Sequence, residues 1–135
     1  MMLKRIKTFL LDNRGTAAVE FALVLPLTVT MLLGTLNMSI YLFFQNSLSS
    51  ALDEASRAVS VWPIPSDSDL QSEFTDHLLS AQQFGNAQLA ITHGTDVSGR
   101  DYVDLEATGG IYVNLVFVDL GTIPVRLTKR SYPQL

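Results

Sequence analysis

From Phe21 to Phe44 the chain runs 24 residues without a charged side chain. At about 1.5 Å rise per residue, a helix of that length reaches about 36 Å, enough to cross a hydrocarbon core of about 30 Å with some tilt. A buried helix of a soluble domain is the alternative, but such helices rarely run so long without a charged face. Composition favours the membrane: 47% of the 135 residues are hydrophobic and 16% are charged, against about 25% charged in an average soluble domain. This length accommodates one domain and no second sizeable one.

The flanks of the run give it a direction. Residues 1–14 hold Lys4, Arg5, Lys7 and Arg14 against Asp12 alone, a net of +3, whereas Asp53 and Glu54 follow the run. The positive-inside rule keeps the basic side cytoplasmic and sends the remainder across the membrane. A cleaved secretory signal shares the basic start, but its apolar stretch is shorter and ends at a small-residue site that is not found here.

Between Gly15 and Leu52 the only charged residue is Glu20. A carboxylate at the bilayer centre costs about 2.5–3.5 kcal/mol on insertion scales, so it is either hydrated at the interface or kept for a function. Its surroundings are ordered. The stretch Arg14-Gly15-Thr16-Ala17-Ala18-Val19-Glu20-Phe21 ends a basic segment at a glycine, puts the glutamate fifth after it, and enters the apolar run at once.

This arrangement resembles the signal of type IV-like prepilins. The longer run through Ala22-Leu23-Val24-Leu25-Pro26 resembles the opening of TadE-like pseudopilins of the tight-adherence pilus system. The resemblance covers residues 14–44. It implies that a membrane aspartyl peptidase cuts between Gly15 and Thr16 on the cytoplasmic side and removes the leader, residues 1–15. Lys4, Arg5, Lys7 and Arg14 would hold that leader at anionic headgroups. Glu20 and Phe21 would serve peptidase recognition and assembly, with Glu20 pairing the new ammonium of Thr16 in a neighbouring subunit or in the same chain. Many type IV pilins carry an aromatic residue or Met where Thr16 stands. The implied partners are the prepilin peptidase, other pilins and pseudopilins, the inner-membrane Tad assembly proteins and membrane lipid. The implied place is the bacterial inner membrane, crossed once, with the head periplasmic or carried into a surface pilus. A minor component is implied, because the major pilins of that system are much shorter and lack such a head.

The remaining residues read as a small head. Pro26 should kink the spanning helix, residues 16–44. Asn37 could bond a neighbouring helix or its own. Leu48, Ala51, Leu52, Ala55, Ala58, Val59 and Trp62 recur at helical spacing, so the helix continues amphipathically until the Trp62-Pro63-Ile64-Pro65 segment. A second helix is predicted from Ser68, with Gln71 completing a capping box, an inner face of Leu70, Phe74, Leu78 and Ala81, and a stop at Gly85. Beyond it the period changes to two. Four strands are predicted, at 88–93, 102–107, 111–119 and 123–129, with turns at Gly94-Thr95, Ser98-Gly99, Thr108-Gly109-Gly110 and Gly121. Residues 45–135 thus form an α+β head, an antiparallel sheet packed on one long and one short helix.

Chemistry finds little support in this head. Zero cysteines exclude disulfides, thiolate metal sites and a thiol nucleophile. His77 and His93 fall on separate elements without metalloprotease spacing. Asp96, Ser98, Asp101 and Asp104 could offer calcium oxygens but do not follow the EF-hand spacing. No phosphate loop or nucleophile elbow is present, so no enzyme, cofactor, metal or small-molecule substrate is implied. A net charge of −4 disfavours nucleic acid. After the leader is removed, 5 basic and 12 acidic residues remain, a net of −7. The leading reading is a pilin-like structural subunit. The competing reading is an uncleaved, signal-anchored periplasmic binding or scaffold protein, and a hydrolase with an unrecognised site comes third.

Overall fold

The computed structural model describes residues 14–61, 63–78, 81–115 and 118–133. Lys4, Arg5, Lys7, Trp62, Val116 and Phe117 lie outside the described residues. One helix, α1 (Arg14–Val59), is followed by α2 (Asp67–Leu78) and three strands, β1 (Asn86–Thr95), β2 (Asp101–Leu115) and β3 (Val118–Ser131). The strands form one antiparallel sheet in the order β1-β2-β3. This is the α+β architecture the patterning implies: a long apolar helix, a short helix and a small sheet.

The core lies between the distal half of α1, α2 and one face of the sheet. The helical stripe supplies Leu48, Ala51, Leu52, Ala55 and Val59, all buried, with Ala58 partly buried at the margin. Phe44, the last residue of the charge-free run, is fully buried and begins this core. From α2 come Leu70, Phe74 and Leu78, and from the turn after it Ala81. On β2 the odd residues Val103, Leu105, Ala107, Ile111 and Val113 face inward, while Tyr112 and Asn114 face out. Where the chain leaves the sheet, the buried Ser131 hydroxyl donates to the Ser56 carbonyl at 2.8 Å. Lys129 also pairs with Asp53 on the helix.

Three strands stand where the patterning predicts four. The Thr108-Gly109-Gly110 stretch does not turn. Gly109 pairs with Ala87 on one side and Val125 on the other, and Gly110 pairs with Asn86 and Pro124. The inward alternation therefore crosses both glycines unbroken. Gly109 is a space requirement: a Cβ there would lie 2.8 Å from the Phe44 ring and 2.7 Å from the Asn86 carbonyl oxygen. Gly85, the predicted stop of the second helix, borders the same ring, and a Cβ there would lie 3.1 Å from it. The helix itself ends earlier, at Leu78. Gly94 and Thr95 also belong to a strand, and the first reversal runs from Asp96 to Arg100, with Gly99 at φ +78°. The second reversal lies between Leu115 and Val118 rather than at Gly121. Gly121 instead follows a bulge: Val113 pairs with Gly121 and Asn114 with Asp119, leaving Leu120 extra. Its φ of +71° is one that glycine adopts without steric cost.

The start of α2 also differs from the predicted one. The cap is Ser66, whose hydroxyl accepts from the Asp69 N–H at 3.3 Å while the Asp69 carboxylate accepts from the Ser66 N–H at 3.2 Å. This is the reciprocal capping box, two residues earlier than Ser68 and Gln71 and closed by an aspartate.

Phe44→Ala should cost about 3–5 kcal/mol of head stability, and Gly109→Ala about 1–3 kcal/mol through overpacking. Denaturant unfolding of the detergent-solubilised full chain measures both. In the double variant the losses should fall short of their sum, because the two residues share one contact.

Candidate membrane anchor and assembly site

The proximal half of α1 stands apart from the head. Its most apolar stretch is not buried anywhere in the chain, and the whole helix is long and apolar enough to cross a membrane. Val19, Phe21, Leu23, Val24 and Leu27 are all exposed. The polar side chains of this stretch turn back onto their own helix. Thr28 donates to the Val24 carbonyl at 3.0 Å, Thr30 to Pro26 at 2.8 Å, and Ser39 to Thr35 at 2.9 Å. The Asn37 amide donates to the Leu33 carbonyl at 2.8 Å. Each of these side chains thereby places a donor without water, as a hydrocarbon setting requires.

The predicted processing residues gather at the start of α1. Arg14 opens the helix, and Gly15 and Thr16 lie in its first turn. A Cβ at Gly15 would meet nothing within 4 Å. Glu20 lies one turn beyond Thr16, exposed, and Phe21 beside it is 65% exposed. Pro26 sits inside the helical segment, which continues through it. Lacking an N–H, Pro26 leaves the carbonyl four residues before it without a helical donor.

The opposite end of the molecule carries the charge. Asp104 and Arg130 face each other across β2 and β3 in a two-bonded pair, both at 2.7 Å. The same guanidinium lies 3.8 Å over the Tyr102 ring, and Arg100 lies 4.9 Å over Tyr132. Tyr102 also covers Gly94 on β1, its direct cross-strand partner. The residues considered for calcium do not converge. Asp96 Oδ1 accepts from the N–H groups of Ser98 at 2.7 Å and Arg100 at 3.0 Å, Asp101 accepts from Thr95, and Asp104 is held by Arg130. These groups shape a turn and a strand ladder. His93 bonds Asp67 at 2.9 Å. His77 joins Glu73 and Glu54, their ligand-capable atoms within 4.8 Å of one another on the surface. Sequence spacing could not show that trio, because Glu54 comes from α1 and the others from α2.

α1 is long and apolar enough to cross a membrane and continues into a small α+β head. A family model described as TadE-like protein matches residues 15–57. Over that stretch the chain is similar to TadE-like proteins. The match spans α1 almost end to end, so it extends past residue 44 into the half of the helix that builds the head core, while α2 and the sheet lie outside it. Comparisons with curated proteins and with solved structures gave no match.

The head should lose stability in acid. Hydrogen bonds from Ser66 hold Asp69 below the usual carboxylate range, the Arg100 N–H does the same for Asp96, and the Arg130 guanidinium for Asp104. A carboxyl depressed in the folded state stabilises it above the unfolded pKa of about 3.9, and that contribution disappears as pH falls through the lower folded value. Melting temperature should therefore hold above about pH 5 and drop below about pH 4. Asp104→Asn should lower it at pH 7 and flatten the acid drop.

Proposed function

We propose that this protein is a minor pilin-like subunit of the Tad pilus system, made as a precursor and assembled through α1. A prepilin peptidase on the cytoplasmic side cleaves between Gly15 and Thr16, removing the leader that carries Lys4, Arg5, Lys7 and Arg14. The new Thr16 ammonium and the Glu20 carboxylate then form the pair that sets the register between neighbouring helices. A buried carboxylate without a partner is costly, and pairing offsets that cost only when the subunits are correctly aligned. Phe21 and the apolar face beyond it pack against other pilins and against the inner-membrane assembly proteins. Pro26 supplies local flexibility where subunits leave the lipid. The head lies on the periplasmic side and supports pilus biogenesis and adherence as a structural element, with no catalytic role.

The observation that carries this reading is what the matched stretch forms. The family match covers residues 15–57, all of them within a single helix, Arg14–Val59. One continuous helix thus combines an uncovered apolar half with a half that forms the core of the head. That division of labour suits a subunit held first in lipid and then among other helices.

An intact mass with N-terminal sequencing, taken on protein extracted from its native membrane, tests the cleavage. The expected start is Thr16, reverting to the uncut form when the prepilin peptidase is deleted. A start upstream of Gly15 in cells with active peptidase would refute it and favour the uncleaved anchored protein. Glu20→Gln tests the pairing separately. Processing and membrane level should be retained, while incorporation into pili or recovery with other pilins is lost.

A further inference from the structure

The three-stranded sheet is polarised along its strands. Between Ala107 and Val125 the sequence has one charged residue, Asp119, while Asp96, Arg100, Asp101, Asp104 and Arg130 crowd the other end. The charge-poor end is the β2–β3 hairpin tip. It extends past the start of β1, whose first residue, Asn86, pairs with Gly110. The tip leans beside α1, where a groove of about 290 Å³ is lined by Gly34, Met38 and Tyr41 of the helix and by Leu115, Leu120 and Ile123 of the hairpin. Val118 and Leu120 remain exposed, as do Phe43 and Phe84, which stack edge to face at 5.8 Å beside the same end.

The helix residues of this groove belong to the charge-free run. If that run crosses the bilayer, the hairpin tip stands at the depth where the run leaves it. We infer that the membrane-proximal end of the head is a second lipid contact, with Leu115, Val118 and Leu120 seated in the interfacial region of the outer leaflet and acyl chains entering the groove against α1. The inference rests on the membrane-anchor reading. The chemistry suits an interface rather than the hydrocarbon centre. Tip residues pair across the hairpin, Asn114 with Asp119 and Leu115 with Val118. The outer edges of the two strands stay unpaired beyond Asn86, which only a hydrated interface tolerates. The single charge is satisfied locally: the Tyr112 hydroxyl and the Gly121 N–H at 2.8 Å both donate to Asp119. Aromatic rings at Tyr41, Phe43, Phe84 and Tyr112 suit the belt where apolar surface meets headgroups.

A consequence follows for Glu20. With the outer boundary near Gly34, a helix along the bilayer normal uses about 20 residues to cross about 30 Å, which brings the inner boundary close to Gly15. Glu20 then lies about one turn inside the cytoplasmic face, deeper than a freely hydrated carboxylate.

The absence of cysteine makes single-site labelling direct. Leu120→Cys and Val118→Cys, each carrying an environment-sensitive fluorophore, are reconstituted as full chains into phosphatidylethanolamine–phosphatidylglycerol vesicles that contain nitroxide lipids, spin-labelled either near the headgroup or deep in the chain. Val97→Cys, at the distal turn, is the water control and Leu27→Cys the span control. The expected result is loss of emission at 118 and 120 with the shallow nitroxide, loss at 27 with the deep one, and none at 97. Labels at 118 and 120 that behave like 97, while 27 is quenched, overturn the lipid contact and leave the anchor intact. If 27 is unquenched as well, the anchor reading falls with it. Quenching at 118 and 120 by a nitroxide at position 38 of a second copy, without quenching by lipid, overturns the proposal in favour of a subunit interface.

Discussion

The ring of Phe44 lies against Gly109 and beside Gly85, fully buried, where the helix passes from an uncovered stretch to a packed one. Full burial of a phenylalanine contributes about 1.5–3 kcal/mol, but the geometric effect is larger in consequence. A side chain at either glycine would hold the sheet away from α1. With both glycines in place, β2 approaches the helix closely enough for Leu105, Ala107 and Ile111 to meet Leu48, Ala51 and Leu52 in one core. The position and height of the whole sheet on the helix are set at this contact.

Height matters because the two halves of α1 differ in kind. Before Ile40 the helix turns its polar side chains onto itself and leaves most of its apolar surface uncovered; beyond Phe44, small residues at Ala51 and Ala55 let other elements lie close. Neither half could be exchanged for the other. An Ala-rich stripe gives too little apolar area to favour lipid, and a face of Leu, Phe and Met would hold the sheet too far out. The charge distribution in the sheet follows the same axis. Arg130, Asp104, Tyr102 and Arg100 form their ladder at the end of the sheet remote from the charge-free run, where water screens the pairs and each contributes little to stability. Their value is in orienting the strands and keeping that end soluble.

Much of this could be read from residue order. The helix showed itself through a charge-free run and an Ala/Leu stripe, and α2 through Leu70, Phe74, Leu78 and Ala81, all of them buried. Those signals are local, within a few turns of one helix. Glycine was the misleading residue. Thr108-Gly109-Gly110 has the composition of a turn, yet Gly109 is there because the Phe44 ring, far away along the chain, needs the space, and no short window of sequence contains both. The capping box failed for a smaller reason. Ser66 and Ser68 are both competent caps, and the choice falls to Ser66 because Asp69 can reach back to its N–H. The residues proposed for processing stand together as a motif in the sequence, whereas the polarity of the sheet emerged only once strand register placed Asp104 opposite Arg130 and Leu120 beside the helix.

A single helix links the two ends of this protein. If α1 crosses the bilayer as proposed, its continuity from Arg14 through Val59 couples the depth of Glu20 to the height of the head, with Pro26 the one weak point between them. Lifting the head by one helical turn, about 5.4 Å, draws Glu20 the same distance toward the bilayer centre, where an unpaired carboxylate is most costly. Lowering the head drives unpaired strand edges into hydrocarbon. The two penalties oppose each other, so a lone subunit has a narrow range of depths. If Glu20 pairs with an ammonium as proposed, the first penalty relaxes and the second remains, so a paired subunit would move outward more readily than inward.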